Sequence, residues 1–165
     1  MDAYEKIEVI IAAKYHKAGK MTRKAVGDFM MSDDHAVNVK SNNLAKQNYS
    51  PNIISIKKMH QWVFEEKKNI SFIFVDYEVV GDDLKIVNET KLIPIENISW
   101  SCLSIEAQGY GVIQKIGELV VIEGQTKCDF YKGFLEAYAK FRKKEDVKHD
   151  KFSRKFIKDP ESIDW

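Results

Sequence analysis

Apolar positions recur at helical spacing at the start of the chain. Tyr4, Ile7, Ile11 and Tyr15, with Glu8 inside the same stripe, predict an amphipathic helix that stops near Gly19. A carboxylate in such a stripe either lies at its edge or faces a polar site at the core boundary. The period then changes. Two short apolar runs, Ala25 to Met31 and Ala36 to Val39, flank Ser-Asp-Asp-His, which has the composition of a turn, and together they predict a β-hairpin. The polar stretch from Asn42 to Asn52 predicts a loop. Ser50 followed by Pro51 predicts an N-cap with proline at the first helical position, opening a second helix that runs to about Lys68.

Beyond it, "ISFIFVDYEVV" is a strand rich in β-branched and aromatic residues, "GDD" turns it into "LKIV", and "KLIPI" is a further strand or edge. The stretch from Asn97 to Gln114 is mixed and glycine-containing and predicts an irregular loop region. "ELVVIE" predicts one more short strand. Phe130, Phe134, Leu135, Tyr138 and Phe141 fall on one face of a last helix, an aromatic stripe that reads as core. This order predicts an α/β fold in which a mixed central β-sheet is flanked by helices, as a single domain over residues 1–165.

Composition narrows the picture. A chain of 165 residues, 44% hydrophobic and 12% aromatic, can build one core. It has no apolar run of the roughly 18 residues that span a bilayer and no signal-peptide pattern, so a soluble, cytoplasmic protein with no membrane partner is expected. Cys102 and Cys128 stand far apart without metal-ligand spacing. The net charge of +1 conceals a basic C-terminal segment, 140–165, with Arg142, Lys143, Lys144, Lys148, Lys151 and Arg154.

The hairpin carries the candidate chemistry. Asn38 and Lys40, two apart on one strand, project from the same face, and Asp28 on the neighbouring strand can meet them. Ionic residues on the inner side of a hairpin require compensation, which a metal and a phosphate provide. An aspartate followed at this distance by acid-x-lysine on an adjacent strand is the motif of the PD-(D/E)XK nucleases. Asp28 with Asn38-Val39-Lys40 resembles it, and the preceding helix with Glu8 and the following helix fall in the family's order. "PNIISIKKM" and "ISWSCLSIEAQGYGVIQ" are also similar to segments of type II restriction endonucleases.

The resemblance implies a restriction-endonuclease-like fold and cleavage of double-stranded DNA at a specific short sequence, leaving 5′-phosphate and 3′-hydroxyl ends. It implies Mg²⁺ held by Asp28, Glu8 and Asn38, with Lys40 positioning the attacking water or stabilising charge on the phosphate. It also implies a homodimer, since one site cuts one strand, and a prokaryotic cell. The sequence departs from the motif at Asn38, where the family has an acid. A neutral amide can ligate Mg²⁺ but leaves the site one charge short. Either Glu8, or next Glu5, compensates, or the chain is a catalytically inactive DNA-binding module, or the amide is an introduced change.

Sequence reading requires side chains that reach base edges. Ser41, Asn42, Asn43, Lys46, Gln47, Asn48 and Tyr49 follow the catalytic strand, and Asn or Gln pairs bidentately with adenine. Gln108 and Gln114, which bracket two glycines, form a second candidate set, and the basic segment supplies phosphate contacts. A repair or junction-resolving nuclease is the nearest enzyme alternative, and an interaction protein without nucleic acid the most distant one.

Overall fold

The computed structural model describes residues 2–17, 26–46, 50–144 and 150–165, with the side chains of Lys144, Asp150 and Lys151 outside the description. The chain forms two compact units, Met1–Pro51 with Gln61–Ile95, and Asn52–His60 with Glu96–Trp165. Among the described residues no helix is long and apolar enough to cross a membrane.

The first unit opens with α1 (Ala3–Lys14). Asp2 caps it by accepting the Glu5 N–H at 2.8 Å, and Ile7, Ile11 and Ala12 are its buried positions. The helix ends before the expected stop at Gly19, which lies outside the described residues. His16 takes a left-handed φ of 57°, and the Lys17 N–H returns to the Ala12 carbonyl at 3.0 Å, a closure more often built on glycine.

The expected hairpin forms from β1 (Phe29–Ser32) and β2 (His35–Asn43), antiparallel with Phe29 opposite Val37 and Met30 opposite Ala36. Ala25, the proposed start of the first strand, lies outside the described residues. β2 continues past the expected end at Val39, so Asn42 and Asn43 belong to a strand and not to a loop. It is held by β4 (Asn69–Val80), which pairs with it in parallel along its full length, from His35 opposite Asn69 to Asn43 opposite Tyr77. A register this long overrides the local preference of Ser-Asn-Asn for turns. β5 (Asp83–Glu89) and the short β6 (Ile93–Pro94) pair antiparallel with β4, completing a mixed five-stranded sheet.

The core of this unit follows from side-chain alternation. Val37 and Val39 of β2, Ile73, Val75 and Tyr77 of β4, and Phe29 of β1 face α1 and bury Ile7, Ile11 and Ala12. Tyr15 stacks on Phe29 with ring centroids 5.8 Å apart. Asn38, Lys40 and Asn42 therefore point to the opposite face.

Three expectations are corrected in and at the border of the second unit. Ser50 and Pro51 do not open a helix. Asn52–Ser55 forms a strand, β3, and Ser55 is the actual N-cap, its side chain accepting the Lys58 N–H at 3.2 Å at the head of α2 (Ile56–Met59), which a π-helical stretch continues over His60–Glu65. The Ile53-Ile54 pair is buried in a sheet, and tertiary pairing outweighs the local cap signal. The unassigned stretch 97–114 supplies the partners: β7 (Leu103–Glu106) and β8 (Val112–Lys115) complete an antiparallel sheet in the order β3-β8-β7. "ELVVIE" is not a strand. Val121 makes an isolated bridge to Ile98, and Val120, Val121 and Ile122 are exposed.

The last expected helix is α3 (Lys127–Lys144), followed by α4 (Asp150–Ser153). Phe130, Phe134, Tyr138 and Phe141 are buried as expected, Leu135 is half-buried, and Tyr131 is fully buried. His60 sits in this aromatic cluster with Nε2 2.8 Å from Tyr131 Oη, and the same hydroxyl oxygen accepts the Ile157 N–H at 2.9 Å. Gly133 lets Trp100 lie against α3, since a Cβ there would fall 2.3 Å from Trp100 Cδ1.

Candidate active site

The first unit brings Glu8, Asp28 and Lys40 together from three elements. Asp28 stands immediately before β1. Its N–H donates to the Val37 carbonyl at 2.7 Å, and its Oδ2 accepts the Val39 N–H at 2.6 Å. The carboxylate thus takes the place that the next residue of a longer β1 would occupy beside β2. Gly27 makes this approach possible, because a Cβ there would lie 2.6 Å from the Val37 carbonyl oxygen. Lys40 projects from the face of β2 away from α1, so it acts on Glu8 through its charge and not by contact.

The three charges act on one another. Burial pushes the Asp28 carboxyl above its ordinary range, against the lowering effect of the Val39 hydrogen bond and the Lys40 charge. Burial likewise raises Glu8, and the Asp28 charge raises it further, while a hydrogen bond from Tyr4 and the Lys40 charge oppose the shift. Lys40 is held below its ordinary range by burial, with Asp28 and Glu8 acting against it. The lysine makes no ion pair within 4.0 Å among the described residues, so the three groups share a field without direct contact.

Asn38 occupies the position of the motif's second acid and is 8% exposed. Its Nδ2 donates a long hydrogen bond, 3.5 Å, to the Val26 carbonyl, and its Oδ1 has no hydrogen-bond partner among the described residues. No three His, Cys, Asp or Glu side chains cluster as metal ligands among the described residues. Two carboxylates and an amide oxygen nevertheless fit Mg²⁺, which is commonly bound through one or two carboxylates and keeps several waters. Asp28 Oδ1 and Asn38 Oδ1, both without hydrogen-bond partners among the described residues, and Glu8 are the donors suited to it.

The residues proposed to read DNA separate. Ser41 is buried on the α1 side of the sheet, a packing position that cannot reach a duplex. Asn42 donates to Asp76 Oδ1 at 3.0 Å, and Asp76 Oδ2 accepts from Asn88 at 3.4 Å. Asn43 Oδ1 accepts the Ala45 N–H at 3.0 Å, fixing the turn after β2, and Lys46 is exposed. Gln47, Asn48 and Tyr49 lie outside the described residues. In the second unit Gln108 and Gln114 both hydrogen-bond Asn52. His35 is committed to Ser71, Nε2 to Oγ 2.8 Å. Arg142 reaches Ser153 at 3.3 Å, Lys143 and Arg154 are exposed, and Lys148 lies outside the described residues.

Tyr4, a position of the apolar stripe of α1, also hydrogen-bonds the candidate residue Glu8. Its position four residues before Glu8 on the same helix face is the signal that would have found it. A groove of about 360 Å³ in the second unit, lined by Trp100, Leu103, Glu106, Gly133, Glu136 and Lys140, contains none of the four motif residues. Comparison with protein-family models and with curated proteins finds no match for this chain.

Proposed function

We propose that this chain is a Mg²⁺-dependent DNA endonuclease of the PD-(D/E)XK type, cutting double-stranded DNA at a short specific sequence as a homodimer. The observation that carries the reading is the Asp28 carboxylate held on β2 by the Val39 N–H, between the motif positions Asn38 and Lys40, with Glu8 of α1 and Lys40 near enough for the charges to act on one another. Surface ion pairs are usually in contact and contribute little. Here the Asp28 charge raises the partly buried Glu8, and the half-buried Lys40 makes no ion pair with either carboxylate among the described residues.

Mg²⁺ bound by Asp28, Glu8 and Asn38 would supply charge neutralisation and a more acidic water. The protein's own contribution is positional. The Val39 N–H fixes one Asp28 oxygen, Tyr4 orients Glu8, and the strand pairing of β2 with β4 sets the height of Lys40. Lys40 offers a fixed cation for the charge that builds up on the phosphate oxygens as the bond to the leaving 3′-oxygen breaks.

Asn38 favours a second reading, a DNA-binding module that keeps this arrangement without turnover. Digestion of a supercoiled plasmid in Mg²⁺ or Mn²⁺, with the fragment ends sequenced, separates them. The nuclease reading expects discrete fragments whose formation falls by about 10²-fold or more in Lys40→Ala, the scale of losing one charge-stabilising group. Fragments from neither the native chain nor Asn38→Asp would leave the binding module as the account.

A further inference from the structure

Three amide side chains meet on the surface of the second unit, Asn52 and Gln108 exposed and Gln114 half exposed on the central strand of its sheet. Asn52 of β3 lies opposite Gln114 of β8, and Gln114 Nε2 donates to Asn52 Oδ1 at 2.8 Å. Asn52 Nδ2 in turn donates to Gln108 Oε1 at 3.4 Å. Gln108 is itself fixed by the turn it occupies, its N–H bonded to the Glu106 carbonyl at 3.0 Å and its carbonyl to the Gly111 N–H at 2.8 Å.

A hydrogen bond between solvent-exposed amide side chains contributes little to stability, because water competes for both partners. Its effect is orientation. With one hydrogen of Gln114 Nε2 taken by Asn52, Gln114 keeps its Oε1 acceptor and a second N–H donor, both without partners among the described residues. Gln108 likewise keeps both hydrogens of its Nε2. A donor and an acceptor in one plane match the N7 acceptor and N6 amino donor of adenine in the major groove. A glutamine already anchored by a neighbour gives up less rotamer freedom on contact.

We propose that Asn52, Gln108 and Gln114 form a base-reading triad in which Gln114 makes a bidentate contact to adenine, Asn52 is its positioning residue, and Gln108 donates to the neighbouring base. This rests on the reading of the chain as a duplex-cutting nuclease, and it adds that the recognition sequence contains an adenine specified by Gln114. Asn52 was not among the residues that the sequence singled out, because its role depends on a strand pairing across sixty residues of chain.

The test is selection of bound sequences from a pool of random DNA duplexes, in Ca²⁺ at fixed ionic strength, by the full chain and by Gln114→Ala, Asn52→Ala and Gln114→Glu. The native chain should enrich a motif with a fixed adenine. In Gln114→Ala the preference at that position should fall about tenfold or more while the other positions are retained. Asn52→Ala should weaken the same position, and Gln114→Glu should shift it toward cytosine, whose amino group a carboxylate accepts. Motifs identical to the native one in Gln114→Ala and Asn52→Ala would overturn the triad and leave the nuclease reading standing. Native binding with no sequence preference would overturn the triad together with the sequence specificity of the nuclease reading, and no duplex binding at all would overturn both readings whole.

Discussion

Asp28 accepts a short hydrogen bond from Val39 and feels the Lys40 charge, and its carboxyl is still held above the ordinary range, because burial outweighs both. An acid whose folded-state pKa is raised keeps a proton that the unfolded chain has released. Its ionisation therefore costs stability as pH rises from the ordinary carboxylate range through the raised value. Asp28→Asn keeps an acceptor for the Val39 N–H and removes that cost. At pH 7 without metal it should stabilise the fold by about 0.5–2 kcal/mol, typical of single stabilising changes, while plasmid cleavage is lost. Paired thermal melts and digests check both halves, and a variant that cuts as well as the native chain would remove Asp28 from the site. The same residue shows what was legible. Asn38 and Lys40 could be placed on one face because strand alternation is fixed by covalent geometry, whereas Asp28 stands outside β1 and meets β2 through the Val39 N–H, and the Asn38 oxygen, without a hydrogen-bond partner among the described residues, depends on a rotamer that no spacing encodes.

At the scale of elements, the strongly periodic segments were read correctly and the contested ones were decided by their partners. The hairpin, β4, β5 and α3 follow from alternation or an aromatic stripe. Asn42 and Asn43 look like a loop until the parallel register with Asp76 and Tyr77 is known, and Asn52–Ser55 looks like a helix start until it pairs with β8. Two substitutions probe the packing. Gly133→Ala would ordinarily gain up to about 1 kcal/mol of helix propensity. Here the new methyl meets Trp100, whose indole is pinned by its N–H to the Phe130 carbonyl at 3.0 Å, so a net loss of about 1–2 kcal/mol is expected in urea unfolding. Tyr131→Phe removes the hydroxyl that serves both His60 and the Ile157 N–H, and should cost about 1–3 kcal/mol in the same measurement. Unchanged midpoints would mean that these contacts relax without strain.

At the scale of the molecule, the mixed sheet and its covering helix were legible, since α1 and the strands share one apolar period per element. The division into two compact units was not, because it depends on a second sheet whose strands, β3, β7 and β8, are each four residues long and too brief to announce themselves. The proposed activity concentrates in the first unit, on Glu8, Asp28, Asn38 and Lys40, and its central claim is that Asp28, Glu8 and Asn38 hold a divalent cation. Calorimetric titration of Mn²⁺ into the native chain, Asp28→Asn and Asn38→Asp addresses that claim without requiring turnover. Saturable binding to the native chain, lost in Asp28→Asn and at least about tenfold tighter in Asn38→Asp, where a carboxylate replaces the amide, is the result this account predicts. Equal isotherms for the native chain and Asp28→Asn, or no uptake by any of the three, would contradict it.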